Sequence, residues 1–240
     1  MALDIETRNQ LIETVRRFVT EECVPIEAKV SEDDKVPDSI IAQMRELGLF
    51  GLSIPVEYGG LGLTMEEEVL VCFELGQTSP AFRSVIGTNV GIGSQGIVMF
   101  GSEAQKNEWL PKLATGEMVA SFALTEPGAG SDAASVKVSA VKDGSDYVVN
   151  GTKRFITNAA RAGMFTLLAR TDPSKKGAGG ISAFIVPAKT PGISIGKPEK
   201  KMGQQGAHIH DVIFENARVP ESLRLGKEGE GFKVAMQVLD

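Results

Sequence analysis

The hydrophobic pattern changes from a helical to an alternating period near residue 120, and no other feature constrains the architecture as much. Before that point Leu11, Ile12, Val15, Phe18 and Val19 share one helical face that Pro25 closes, and Ile40, Ile41, Met44 and Leu47 repeat the spacing after Val36-Pro37-Asp38, with Gly48 as a stop. Thr64 with Glu67, and Ser102 with Gln105, have the spacing of capping boxes ahead of apolar runs, the second run ending at Gly116 despite Pro111. After Met118, Val, Ile, Thr and Phe alternate with polar residues, and Asp143-Gly144, Asn150-Gly151, Gly179-Gly180 and Pro191-Gly192 punctuate them as turns. Strands are expected at 136–141, 147–149, 152–157, 165–170, 182–186 and 210–214, spaced as in a sandwich or barrel. The fold class is therefore α+β and multidomain: a helical bundle over residues 1–120, then a β-barrel or sandwich domain over 121–230.

Residues 231–240 return to helical spacing through Phe232, Ala235, Met236 and Leu239, and stop at Asp240 without a cap. They read as the first helix of a third, helical domain that is truncated. From Ser84 to Ser102 no residue is charged, and Thr88, Asn89, Ser94, Gln95 and the glycines argue against a bilayer span, which needs ~30 Å of apolar helix. A buried helix lining a cavity is expected instead.

With 25 Lys and Arg against 31 Asp and Glu, a formal charge of -6 and no basic run, nothing suggests a nucleic-acid surface. Two cysteines, Cys23 and Cys72, and two histidines, His208 and His210, make neither a disulfide framework nor a metal cluster, so no metal ligand is assigned. His208 and His210 alternate on a strand and fit packing better than ligation. The acidic amino terminus lacks the form of a leader, and the expected setting is a soluble one, the cytoplasm or the mitochondrial matrix, with no membrane.

The segment from Ser121 to Asp132 concentrates hydroxyls and turn formers at the helix-to-sheet junction. Gly128 and Gly130 let backbone approach a ligand, and Thr125 and Ser131 offer directed hydrogen bonds. A dinucleotide fingerprint would need a third glycine between a strand and a helix, so a Rossmann site is rejected. An ordinary interdomain loop stays open as the alternative on these grounds alone.

Five pieces in order, Leu124-Thr-Glu-Pro-Gly-Ala-Gly-Ser-Asp132, Asn150-Gly-Thr-Lys-Arg-Phe-Ile-Thr-Asn158, Lys201-Met-Gly-Gln-Gln205, Phe214-Glu-Asn-Ala-Arg-Val-Pro220 and Gly229-Glu-Gly-Phe-Lys233, resemble the acyl-CoA dehydrogenase family, as does the upstream Ile54-Pro-Val-Glu-Tyr-Gly-Gly-Leu-Gly62. The resemblance implies FAD as cofactor, lodged between the sheet domain and a carboxy-terminal helical domain. It implies cofactor contacts from Phe122, Ala123, Leu124, Thr125, Gly130 and Ser131, and from Phe155, Ile156 and Thr157. Thr125 would lie near the flavin pyrimidine, Ser131 near both the pyrophosphate and the acyl-CoA, and Thr157 at N5. Phe155 stands where the family often has Trp, which keeps an aromatic wall but loses an indole donor.

Asp240 would lie beside the CoA portion of the substrate. No catalytic residue is assigned: the family's glutamate base belongs to the carboxy-terminal part, and Glu126 reads as structural. The implied partners are an acyl-CoA substrate, an electron-transfer flavoprotein and further copies of the chain, as a tetramer or dimer. Flavin oxidases or monooxygenases on the same scaffold, and a non-catalytic fragment binding CoA or flavin, remain open alternatives. Arg83-Ser84 and its spacing to Phe100-Gly101-Ser102-Glu103 resemble the glutaryl-CoA dehydrogenase branch, in which such a pair contacts a distal carboxylate. Arg83 is either that recogniser or a surface cation pairing locally.

Overall fold

A computed structural model describes residues 2–239; the Asp240 assignment lies outside the described residues. Seven helices come first: α1 (Ile5–Phe18), α2 (Glu27–Asp33), α3 (Asp38–Glu46), α4 (Met65–Leu75), α5 (Pro80–Thr88), α6 (Gln95–Phe100) and α7 (Glu103–Ala114). Four of them, α1, α4, α5 and α7, start at a side-chain cap. Asp4 accepts the Thr7 N–H at the head of α1, and the capping boxes Thr64/Glu67 and Ser102/Gln105 are both closed. Glu67 also accepts the Leu3 N–H at 2.6 Å, and Gln105 Nε2 donates to Ser222 O and Arg224 O at 2.7 and 3.1 Å. Each box thus ties its helix to a distant part of the chain.

Two helical expectations change. Pro25 does not end the first helical run at once, because the chain passes through a wide turn at Val19–Cys23 and a tight one at Val24–Ile26 and continues into α2. The uncharged segment is not one helix but α5, a wide turn at Asn89–Gly93, and α6. A Cβ on Gly93 would stand 2.4 Å from Thr88 O and 2.5 Å from Ala120 Cβ, so the turn lies directly on the first strand.

The strands are β1 (Val119–Ala123), β2 (Ser139–Asp143), β3 (Asp146–Thr157), β4 (Ala162–Arg170), β5 (Ile181–Pro187), β6 (Ile193–Pro198), β7 (Ile209–Pro220) and β8 (Arg224–Leu225); α8 (Gly231–Leu239) follows. They form one mixed sheet in the order β6-β7-β3-β2-β4-β5-β8, with β1 parallel to β4 off that path. The helical-then-sheet order is the one the sequence predicts. Asn150-Gly151, expected as a hairpin turn, instead sits inside the continuous β3. Asn150 Oδ1 accepts the Asn216 N–H across the ladder at 2.8 Å, and Gly151, at φ +132°, absorbs a shift in register against β7.

Three cores result. One lies among the helices around Met44, Phe50, Leu75 and Phe82. A second joins α6, α7 and α8 to one face of the sheet through Ile97, Trp109, Leu110, Met164, Leu168 and Val234. The third lies where the sheet curls on itself, packing Phe165, Leu167, Phe184 and Val186 against Tyr147, Val149 and Phe214. Alternate residues of β4 face different cores, which is why that strand reads as nearly unbroken apolar sequence.

Candidate functional site

The sheet forks at β4: β1 pairs along residues 162–167, and β2 touches only at Ser139–Arg170. In the fork the end of β1 meets the end of β3. The Arg154 N–H donates to Thr125 O at 2.8 Å, and Ser121 Oγ donates to Thr157 O at 2.7 Å. These bonds bring together the two segments singled out in the sequence, 122–131 and 155–157. Ala123 and Ile156 bury their side chains in the sheet core, leaving only backbone for a ligand. Phe122 and Leu124 are partly buried against the core shared with the helices.

Past Leu124 the chain turns tightly, Glu126 and Ala129 exchanging both backbone hydrogen bonds at 3.0 and 3.1 Å. Beneath the turn lies a buried ion pair. Glu126 Oε1 accepts from Lys153 Nζ at 2.7 Å and from the Val138 N–H at 2.9 Å, while Oε2 accepts the Lys137 N–H at 2.6 Å. Lys153 also donates to Leu124 O at 2.8 Å. Burial pushes the Lys153 ammonium down to about 8, against the opposing pull of Glu126. Above the turn the surface is open: a Cβ on Gly128 or Gly130 would meet nothing within 4 Å. Among the described residues the hydroxyls of Thr125, Ser131 and Thr157 make no hydrogen bond.

Phe155 has φ +58° and is 50% exposed, at a register shift between Lys153 and Ile156 that turns its ring away from the sheet. The Arg154 guanidinium lies 5.0 Å from the ring centroid. Next to it Thr157 opens on a cleft of about 390 Å³ whose other walls include Arg83, Ser84, Thr88, Ile92 and Gln204. Arg83 and Thr157, far apart in sequence, thus share one cavity.

Asn158, which the sequence reading passed over, makes that possible. At φ +61° it donates to Ser84 O and Thr88 Oγ1 at 2.8 and 2.9 Å, riveting α5 to the end of β3. An Asn directly after a β-rich run, where its side chain tolerates the left-handed region, was the available signal. His208 lies 3.1 Å from Asp34, and His210 bonds Gly196 O through Nδ1 at 2.9 Å. Both histidines pack between the sheet and neighbouring loops.

Family profiles for the acyl-CoA dehydrogenase N-terminal and middle domains match residues 5–117 and 121–217. The chain belongs to the acyl-CoA dehydrogenase family. It is 40% identical over 226 residues to an acyl-CoA dehydrogenase of Bacillus subtilis (strain 168), covering 94% of this chain and 59% of the relative. To the acryloyl-CoA reductase (NADH) of Anaerotignum propionicum it is 43% identical over 238 residues, 98% and 60% of the two chains. An acyl-CoA dehydrogenase from Bacillus anthracis, solved in complex with FAD, superposes with a TM-score of 0.88 at 36% identity, over 98% of this chain and 40% of that one. The chain spans about three fifths of the length of the curated relatives named here. Among the described residues no helix is long and apolar enough to cross a membrane.

Proposed function

We propose that this chain supplies the helical and sheet domains, divided near residue 120, of an FAD-dependent enzyme that introduces an α,β double bond into an acyl-CoA thioester. One observation carries the reading. Hydroxyls without intramolecular partners, open glycine backbone and an outward-turned aromatic ring sit on two segments joined by hydrogen bonds, beside a cleft that reaches into the helical domain. That donor set fits a flavin: many acceptor atoms for Thr125, Ser131, Thr157 and free N–H groups, and a flat ring system for the Phe155 face.

In this reading FAD, when bound, supplies the acceptor for a hydride from the acyl β-carbon and passes the electrons to an electron-transfer flavoprotein. The chain's own residues hold and orient. Thr125 and Ser131 fix the cofactor from the loop, Ser131 also meets the CoA ester, and Thr157 presents its hydroxyl to the reacting edge. Phe155 keeps water from one side. Glu126 is not the base, since both its oxygens are engaged by Lys153 and two backbone N–H groups. The catalytic glutamate lies outside these 240 residues, as does the rest of the acyl-CoA site, and the complete enzyme is an oligomer.

Anaerobic addition of acyl-CoA to the complete gene product is the test. Bleaching of bound flavin, followed by slow reoxidation in air and fast reoxidation by an electron-transfer flavoprotein, is expected. Fast reoxidation by oxygen would favour an oxidase on the same scaffold, and a product that retains no flavin would remove the proposal.

A further inference from the structure

We infer that this chain carries a second small-molecule site, for an amphiphilic carboxylate, at the end of the sheet away from the flavin loop. A cavity of about 680 Å³ opens between α3, α7 and the first residues of β1 and β4. It shares no lining residue with the cleft described above. β1 starts in this cavity at Val119 and ends at the loop, and five residues at about 3.3 Å each separate the two by roughly 15 Å.

The cavity is built in two zones. Ile41, Phe50, Val85, Trp109 and Met118 give it an apolar floor. Its rim carries Arg45, Arg161 and Lys189, none of which has a carboxylate within 4.0 Å among the described residues. Arg45 is held in place: its Nε donates to Gly116 O at 3.0 Å, and its guanidinium lies 5.9 Å from the Phe50 ring centroid. Two acids share the rim, Glu117 and Asp38; Asp38 pairs with Lys35 at 3.0 Å and also feels Arg161 and Arg45, so with Lys35 counted four cations face two acids.

Trp109 closes the apolar floor. It is 5% exposed, and its indole N–H is buried without an acceptor. That nitrogen is closed off from the cavity, so Trp109 enters the site as an apolar wall and not as a donor. An apolar floor and a net cationic rim together select an apolar body ending in an anionic group, and disfavour a neutral alcohol or an amine of the same length.

Trp109 is the only tryptophan in the sequence, so its fluorescence reports on this cavity alone. Titrating the chain with sodium octanoate is expected to change that fluorescence saturably, with about tenfold weaker binding of octan-1-ol. The double substitution Arg161→Ala/Lys189→Ala is expected to remove the preference for the carboxylate while leaving the ligand-free emission unchanged. No saturable change with octanoate, or equal affinity for acid and alcohol, overturns the site. So does emission that depends on protein concentration and ignores octanoate, which would mean that a second copy covers this face. The comparison of the two ligands on the parent chain decides the matter even if the double variant does not fold. Trp109 does not line the cleft at Thr157 and Arg83, so the result is independent of the oxidoreductase reading.

Discussion

The Lys153 ammonium stands 2.7 Å from Glu126 Oε1, and both side chains are buried, Lys153 completely. The pair joins β3 to the loop that carries Thr125 and Ser131, and Leu124 O and two backbone N–H groups complete the coordination of the two charges. A loop of glycines and hydroxyls would otherwise be free to move; here it is fixed from below by charge while its upper surface stays open.

Breaking this pair on one side should cost far more than replacing it whole. Lys153→Met leaves Glu126 buried beside one less donor, and loss of about 3–5 kcal/mol is expected. The double substitution Lys153→Met/Glu126→Leu should recover part of that loss. Urea unfolding of the two variants measures it. Equal destabilisation of single and double variants would show that the charges are not coupled.

Asn89 should be a second sensitive position. Its side chain is fully buried, donates to Leu113 O and Met118 O at 2.9 and 2.8 Å, and accepts the Ala120 N–H at 2.8 Å. Asn89→Ala strands three backbone groups, each at a cost of about 1–3 kcal/mol when left unsatisfied in the interior. A lowered unfolding midpoint is expected, together with faster amide exchange at Ala120. A midpoint within error of the parent would mean that water replaces the side chain.

The two cysteines should separate by reactivity. Burial, reinforced by the charge of Glu22, pushes the Cys23 thiol up to about 12, whereas Cys72 is partly exposed. A thiol reagent at mildly alkaline pH is expected to label Cys72 quickly and Cys23 only on unfolding. The sign of the linked stability follows. Between the ordinary thiol value and about 12 the folded chain keeps the Cys23 proton that the unfolded chain has lost, so this group's contribution to stability falls as pH rises through that window. Two equally fast thiols in the native chain would contradict the burial.

Thr157→Val in the complete gene product should slow flavin reduction without changing thermal stability. Its hydroxyl makes no intramolecular bond, so removing it costs the fold nothing, while a lost hydrogen bond to a group that gains charge costs about 1.5–3 kcal/mol. Rapid-mixing kinetics of reduction by substrate measures this; rates equal to the parent's would release Thr157 from the role.

The parts of the fold that were legible in the sequence are those set by local chemistry. Capping boxes announce α4 and α7 because the same three-residue spacing both satisfies the orphan N–H groups and names the residues. The change of period near residue 120 separates helices from strands because burial on one face imposes it. The unread parts depend on partners. Nothing local marks β1, β6 or β8, which are short and exist by pairing with β4, β7 and β5. Asn150-Gly151 carries a turn signal that the β7 ladder overrides. The positive φ of Phe155 belongs to a bulge, visible only once β3 and β7 are in register, and Lys153, an ordinary surface residue by type, is buried because Glu126 waits beneath the loop.

Arg83 offers the sharpest test of substrate. Its guanidinium folds back over Gly87, where a Cβ would stand 2.8 Å from Nη1, and it lines the same cleft as Thr157. Among the described residues no carboxylate pairs with it within 4.0 Å; its charge reaches Glu68, whose carboxyl burial pushes up and Arg83 draws back down. A cation held at a cleft wall with no carboxylate in direct contact can take one from a ligand. If the acyl group ends in a carboxylate, Arg83→Met strands that charge in the cleft, and kcat/KM of the complete gene product on a dicarboxylyl-CoA should fall by about 10²-fold or more. On a simple acyl-CoA of equal length the loss should be slight. Gly87→Ala, which displaces the guanidinium without removing it, should lower activity on the same substrate by a smaller factor. Equal losses on both thioesters, or a parent enzyme inactive on every dicarboxylyl-CoA, would return Arg83 to the status of a surface cation and leave an uncharged acyl chain as the substrate.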